Sequence, residues 1–218
     1  MAYKFDWGVL LVYRHLLWQG LVLTVQLSAL GMVLSLVLGG MIGLGRRAEA
    51  KPLRWLCGAY IEFFRNIPLI VQLFFWYFAV GLQAFPAAVI GLTVYTSAYI
   101  AEVIRSGLQS IPRTQIEAAR SFGMTPYQVI RHVVLPQALM RVIPPLGVEF
   151  INVIKNSSIA MTISITELTF QTQQIESLTF RGFEAATAIT MLYVILALAI
   201  VLLMAAIERL VRLDLRVG

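Results

Sequence analysis

The chain has 218 residues, of which 59% are hydrophobic and 13% are charged, where a soluble domain carries about 25% charged residues. That composition excludes an ordinary water-soluble enzyme and a disordered tail, and the apolar runs are too long for buried core helices, so the solvent is lipid. The formal net charge of +6 resides at the ends of apolar runs without an interleaved aromatic patch, which argues against a nucleic-acid partner.

A helix needs about 20 apolar residues to cross a hydrocarbon core of about 30 Å. No Asp, Glu, Lys or Arg lies between Arg14 and Arg46, and the first span is expected at 21–45. A cleaved signal peptide fits poorly, because the run is about twice the usual length and no small-residue cleavage pattern follows it. Within it Gly31, Ser35, Gly39 and Gly43 recur every four residues. Such a stripe lets a second helix approach closely, or it reflects the general frequency of glycine in membrane helices. Cys57, the single cysteine, precludes an intrachain disulfide and a cysteine-based metal cluster, and packing is its expected role. Arg65 and Glu102 are separated by 36 uncharged residues, interrupted by a turn signature at 81–86. Two spans are therefore expected, at 59–80 and 86–107.

Segment 106–141 is the one long polar stretch. A first short helix is expected to start after Pro112 and stop at Gly123, the residue type that tolerates a left-handed stop. A second starts at Thr125, whose side chain caps, with Pro126 at the first helical position and Gln128 completing a capping box; Leu135-Pro136 is expected to end it. A hairpin of this size exceeds what a connector needs. A fourth span, carrying charges, is expected at 142–165, and a fifth at 185–207 between Glu184 and Glu208. The expected fold is an all-α integral membrane protein, one domain over 1–218, with five transmembrane helices and a coupling loop at about 108–141.

Five spans put the termini on opposite sides. One side then carries Arg46, Arg47, Lys51, Arg54, Arg105, Arg113, Arg120, Arg131, Arg141, Arg209, Arg212 and Arg216, and the other only Lys4, Arg14 and Arg181. The excess of basic residues marks the cytoplasmic side, with the N-terminus periplasmic and the C-terminus cytoplasmic.

Glu117-Ala118-Ala119, with Gly123 four residues later and Val133-Val134-Leu135-Pro136 after nine more, resembles the EAA loop of ABC importer permeases, which have isoleucine at the position of Val133. The run from Tyr60 to Leu73, YIEFFRNIPLIVQL, resembles the second-span signature of the polar amino-acid permeases (histidine, glutamate, glutamine, arginine and opine), as does Ile154-Lys155-Asn156-Ser157-Ser158. Many members have Gly-Thr-Pro in place of Asn66-Ile67-Pro68 and Asp-Thr in place of Asn156-Ser157. With Glu149-Phe150 just upstream, these variants most closely resemble the glutamate/aspartate branch. The resemblance implies a type I ABC importer transmembrane fold in a bacterial inner membrane. It also implies an ATPase dimer, which carries ATP and Mg so that this chain needs no cofactor. A second permease subunit, identical or homologous, and a periplasmic amino-acid-binding protein complete the set. Glu117, Ala118, Ala119, Gly123, Leu135 and Pro136 would form the ATPase-coupling loop.

Charge at bilayer depth costs about 2.5–3.5 kcal/mol per residue on insertion scales and is usually functional. Glu149, Asn152 and Asn156 share one face of the fourth helix, with Lys155 one step round. A carboxylate substrate needs donors and a cation, an ammonium an acceptor. Lys155, Asn156 and Ser158 can supply the former and Glu149 the latter; alternatively, other helices satisfy Glu149 and Lys155. An asparagine at 156 removes a negative charge that would repel an anionic side chain. Gln72 is expected to line the same path. Glu62–Arg65 and Glu102–Arg105 are i, i+3 pairs near adjacent helix ends, expected to form a four-charge network that locks those ends or gates them.

No covalent chemistry is legible. Lys4, Lys51 and Lys155 follow no glycine-rich phosphate loop, no Gly-x-Ser-x-Gly elbow occurs, and His15 and His132 are too far apart for a zinc pair on one helix turn. The expected function is amino-acid import, of glutamate or aspartate first, and of glutamine or basic amino acids as the alternative. An ion-coupled secondary carrier would show paired broken helices in repeated halves.

Overall fold

The computed structural model describes residues 3–217, with side chains through residue 211. Arg212 and Arg216 of the basic-residue count lie outside the described side chains. Every regular element among the described residues is helical: α1 (Gly8–Val12), α2 (Arg14–Gly45), α3 (Lys51–Arg65), α4 (Leu69–Phe74), α5 (Ala84–Gln109), α6 (Arg113–Ser121), α7 (Pro126–Val129), α8 (Leu135–Ser157), α9 (Leu168–Thr179) and α10 (Gly182–Val217).

The small-residue stripe of α2 is a packing seam within this chain. Thr24, Leu27, Ser28, Gly31, Ser35, Gly39 and Gly43 are its buried residues over two-thirds of its length. A Cβ at Gly39 would meet the Ser97 carbonyl oxygen at 2.7 Å, and one at Gly43 would meet that of Ala101 at 2.9 Å. Helices α2 and α5 therefore touch backbone to backbone, the approach that small residues permit in lipid. The opposite face of α2 exposes Val33, Val37 and Met41. One core joins Leu27 of α2, Leu69 and Leu73 of α4, Ala88 and Leu92 of α5, and Ala160 and Ile163 beyond α8.

Among the described residues four helices, not five, are long and apolar enough to cross a membrane: Arg14–Gly45, Ala84–Gln109, Pro126–Ile163 and Gly182–Val211. The expected span at 59–80 is broken. Helix α3 stops at Arg65, and a new apolar helix, Leu69–Ala79, resumes after Pro68. Proline lacks the N–H that would continue the ladder and pushes the residue before it out of the helical region. The two pieces rise about 22 and 16 Å, each short of the roughly 30 Å core. The other four expected spans coincide with the four long helices, although the helix matching the one placed at 142–165 begins earlier and ends at Ile163.

That early start is a second correction. The hairpin forms as the sequence predicts: α6 runs Arg113–Ser121, Gly123 takes φ +81°, and Thr125 and Gln128 make a reciprocal capping box. Leu135-Pro136, however, does not end the second helix. The chain widens into a π-helical turn at Ile130–Val134 and continues directly into α8. A π-turn makes room for a proline ring that would clash with the preceding turn of a regular α-helix. Residues 126–163 are thus one helical rod whose last two turns, Ser158–Ile163, tighten to 3₁₀ before Ser164 turns left-handed at φ 66°.

Helix α9 was not anticipated. Glu167 caps it, accepting the backbone N–H groups of Thr169 at 2.9 Å and Phe170 at 3.0 Å. At its far end Arg181 bonds the Lys4 carbonyl, and the buried Glu184 carboxylate receives Arg181, the Asp6 N–H and the Tyr3 hydroxyl. These contacts fasten residues 3–6 to the start of α10.

Candidate functional site

Three polar groupings stand out: the outward face of α8, a pocket beside it, and the α6–α7 hairpin. On α8 Glu149, Asn152 and Asn156 are half-buried along one side. Asn152 is within hydrogen-bonding reach of Glu149, and Arg65, at the end of α3, is near enough for its charge to act on that carboxylate. The Arg65 guanidinium lies 5.1 Å from the centroid of the Tyr99 ring, and Tyr99 packs against Tyr95 with centroids 5.0 Å apart and the rings tilted by 47°. Cation–ring contacts of this kind hold an arginine without neutralising it. The broken helix, α5 and α8 thereby converge on a lining that carries one carboxylate, one guanidinium, two carboxamides and two phenols.

Lys155 is not on that face. It opens with Ser158 into a cavity of about 440 Å³ between α8, α9 and α10, which Thr169, Thr172, Thr190 and Tyr193 also line. No described carboxylate makes an ion pair with Lys155; Arg105–Glu102 and Arg181–Glu184 are ion pairs elsewhere among the described residues. Behind the cavity, Tyr193 donates its hydroxyl to Glu167 at 2.6 Å. Burial pushes the Glu167 carboxyl up, against the pull of its backbone and hydroxyl donors. Glu167 is fully buried and holds α9 to α10 rather than facing the cavity.

Gln72 is 4% exposed and turned into the break. Its amide nitrogen donates to the carbonyls of Phe64 at 2.9 Å and Ile67 at 3.1 Å, so it satisfies the interrupted end of α3. Its carboxamide oxygen has no hydrogen-bond partner among the described residues, and the side chain also lines an apolar hollow with Phe63, Phe64 and Trp76. Of the four expected network charges, Arg105 makes a two-pronged bond with Glu102, while Arg65 acts on Glu102, and Glu62 on Arg105, through charge without a direct ion pair among the described residues; Arg65 lies over the Tyr99 ring.

In the hairpin Glu117 and Ala118 are exposed, and Ala119 packs inward against Ile111, Val129, Val134 and Ala138. Gly123 takes the left-handed conformation that closes the turn, and nothing lies within 4 Å of where its Cβ would be. Leu135 is exposed and Pro136 half-buried where the π-turn enters α8.

Sequence reasoning missed Tyr95, Tyr99, Thr169, Thr172, Thr190 and Tyr193. The tyrosines sit in apolar runs where aromatics read as packing. The threonines of α9 belong to a helix whose only advance signal was Thr166-Glu167 ahead of Leu168, Gln171 and Ile175, a cap followed by a helical spacing.

Residues 31–213 match the family described as binding-protein-dependent transport system inner membrane component. The chain is 42% identical over 180 residues to the probable glutamine ABC transporter permease protein GlnM of Bacillus subtilis (strain 168), covering 80% of this chain and 83% of that protein. It is 32% identical over 244 aligned positions to the glutamate/aspartate import permease protein GltJ of Escherichia coli (strain K12), covering 100% of this chain and 99% of the other. Among solved structures, an amino acid ABC transporter crystallised with histidines superposes with TM-score 0.86 and 36% identity, covering 95% of this chain and 99% of that one.

Proposed function

Because the chain belongs to the family of binding-protein-dependent transport system inner membrane components, it is a permease subunit of an amino-acid ABC importer, and we propose that its substrate is an acidic amino acid carried along α8. ABC importers of this family work with an ATPase and a binding protein, and ATP hydrolysis belongs to the separate ATPase subunit. In our reading two permease subunits, identical or related, enclose the path. The N-terminus is periplasmic, and the hairpin carrying Glu117 meets the ATPase in the cytoplasm. Closure of the ATPase dimer moves the hairpin, the bundles turn outward to receive the amino acid, and hydrolysis lets them open inward.

The observation that carries the acidic reading is Lys155, a cation without a described carboxylate partner, at the mouth of a cavity of about 440 Å³ rimmed with hydroxyls. A carboxylate gains both Coulomb attraction and donors there. Glu149, on another face of α8 and about 9 Å of helix rise away, offers an acceptor for the α-ammonium group as the substrate moves along the helix, and the carboxamide of Asn156 places no negative charge beside an anionic side chain. A second reading is glutamine, favoured by the 42% identity to the Bacillus permease. A glutamine amide would use the same hydroxyls and carboxamides and owe less to Lys155.

The test is uptake of labelled glutamate by proteoliposomes that hold this chain with its ATPase, binding protein and any second permease. ATP-dependent uptake blocked by aspartate supports the acidic reading. Uptake blocked instead by glutamine or arginine keeps the class and replaces the substrate. Uptake that follows an ion gradient and ignores ATP overturns the coupling role of the hairpin.

A further inference from the structure

A second cavity, of about 510 Å³, lies between α6 and the ends of α2 and α5. Its charged lining is Arg47, Arg113 and Arg120 against the single carboxylate Glu117, with Leu108 and Ile116 among its apolar walls. None of these four charges enters an ion pair among the described residues. Arg47 spends one N–H on the Leu108 carbonyl at 3.3 Å and keeps its other donors free for a ligand. Three guanidiniums around one hollow repel one another unless an anion joins them.

The location identifies the anion. Arg47 comes two residues after the end of α2, and Leu108 is in the last turn of α5, so the hollow lies where two closely packed spans leave their apolar segments. Exposed apolar side chains lead away from it along α2, with Leu44 62% and Met41 68% exposed, and on α3 Trp55 is 70% exposed. Tryptophan is the residue of the membrane–water interface. We propose that this cleft binds the phosphate of an anionic lipid headgroup, with the acyl chains lying along the Met41–Leu44 side of α2. Guanidinium forks bind phosphate oxygens in pairs, and basic pockets at the ends of membrane helices suit such headgroups. An acidic protein segment would meet the same charges, but it gains nothing from an apolar lead-in at hydrocarbon level.

The full chain, purified and placed in nanodiscs of phosphatidylcholine with a minor share of phosphatidylglycerol, is released into a native mass spectrometer and its retained lipids are counted. Phosphatidylglycerol should be enriched over phosphatidylcholine. Replacing Arg47, Arg113 or Arg120 by Gln should cut that enrichment by about fivefold for each charge removed. Arg131→Gln should leave it unchanged, since Arg131 is exposed on the hairpin outside the cleft and donates to Tyr127 at 3.2 Å. Thermal unfolding of each variant shows whether it is folded, and the single substitutions keep the test valid if the triple variant is not. Equal phosphatidylglycerol retention by wild type and the folded variants overturns the proposal. So does binding of inorganic phosphate without lipid enrichment, or loss of ATPase co-purification in the variants with lipid retention intact.

Discussion

Replacing Lys155 by Ala tests the acidic reading most directly. The side chain is exposed at the mouth of its cavity and has no carboxylate partner among the described residues, so truncation leaves no buried charge unpaired and the scaffold should hold. A substrate carboxylate about 4 Å from the ammonium gains about 1 kcal/mol in water-like surroundings and about 4 kcal/mol at an effective dielectric of 20. An exposed lysine belongs near the lower limit, and 1–2 kcal/mol corresponds to roughly 5- to 30-fold. A neutral amide on the substrate forfeits most of that. Expected, then, is a fall of about tenfold in kcat/KM for glutamate uptake, a much smaller fall for glutamine, and retention of the preference in Lys155→Arg. Initial rates at several substrate concentrations in proteoliposomes give the ratio. An equal loss for both substrates, or none, would return Lys155 to packing and remove the ground for an acidic substrate.

Glu117→Lys should abolish ATP-driven uptake while the protein remains folded and inserted, as judged by thermal unfolding in detergent; normal uptake would defeat the docking role. Gly39→Ala should destabilise by about 1–3 kcal/mol through overpacking, because its Cβ would meet the Ser97 carbonyl at 2.7 Å. Gly40→Ala, with nothing within 4 Å, should be neutral or slightly stabilising; the two melting temperatures decide. Gln72→Leu should cost about 1–3 kcal/mol, the penalty for leaving the Phe64 and Ile67 carbonyls without their donor, while the ratio of glutamate to glutamine uptake stays fixed. A changed ratio would put Gln72 on the path after all. Two glycines inserted between Val134 and Leu135 should leave ATPase binding intact and eliminate uptake; preserved uptake would mean that the rod carries no force.

Much of the fold could be read in advance because lipid makes strong demands. Long uncharged runs marked α2, α5 and α10, and the Thr125/Gln128 box and Gly123 marked both inner ends of the hairpin. The break in the second span was harder to see. Hydropathy counts apolar residues without regard to continuity, and Asn66-Ile67-Pro68 is a short interruption whose weight comes from one missing N–H and one fixed φ. Pro136 misled in the opposite direction. It looked like a stop, but widening of Ile130–Val134 carried the helix past it. For the site, period-3.6 reasoning correctly put Glu149, Asn152 and Asn156 together, yet it could not say which neighbour each face meets. Lys155 lies about a third of a turn from that face, which is enough to deliver it to a different cavity. Arg65 paired with an aromatic ring from another helix, a contact that no i, i+3 rule contains.

The continuity of residues 126–163 bears on how a permease of this kind can couple. The capping box that begins the rod and the polar face of α8 belong to one helical piece, roughly 57 Å long if fully α-helical. A displacement at Thr125 therefore does not have to be relayed through loops to reach Asn156. Helix α6 packs on the start of this rod through Ala119, Val129 and Val134, so a partner that holds Glu117 holds the rod as well. The rod is not uniform: the π-turn at 130–134 has a wider ladder than the α-helix on either side, and Pro144 and Pro145 interrupt the donors further up. Bending is easiest at those places, while the stretch from Gly147 to Ser157 has no proline and carries the polar face. A lever with one compliant point at the hairpin, another at its middle, and a stiff end beside Arg65 and Tyr99 would turn the Glu149 face as one body. The Arg65–Tyr99 contact, between the broken helix and α5, would then be the side against which that face turns.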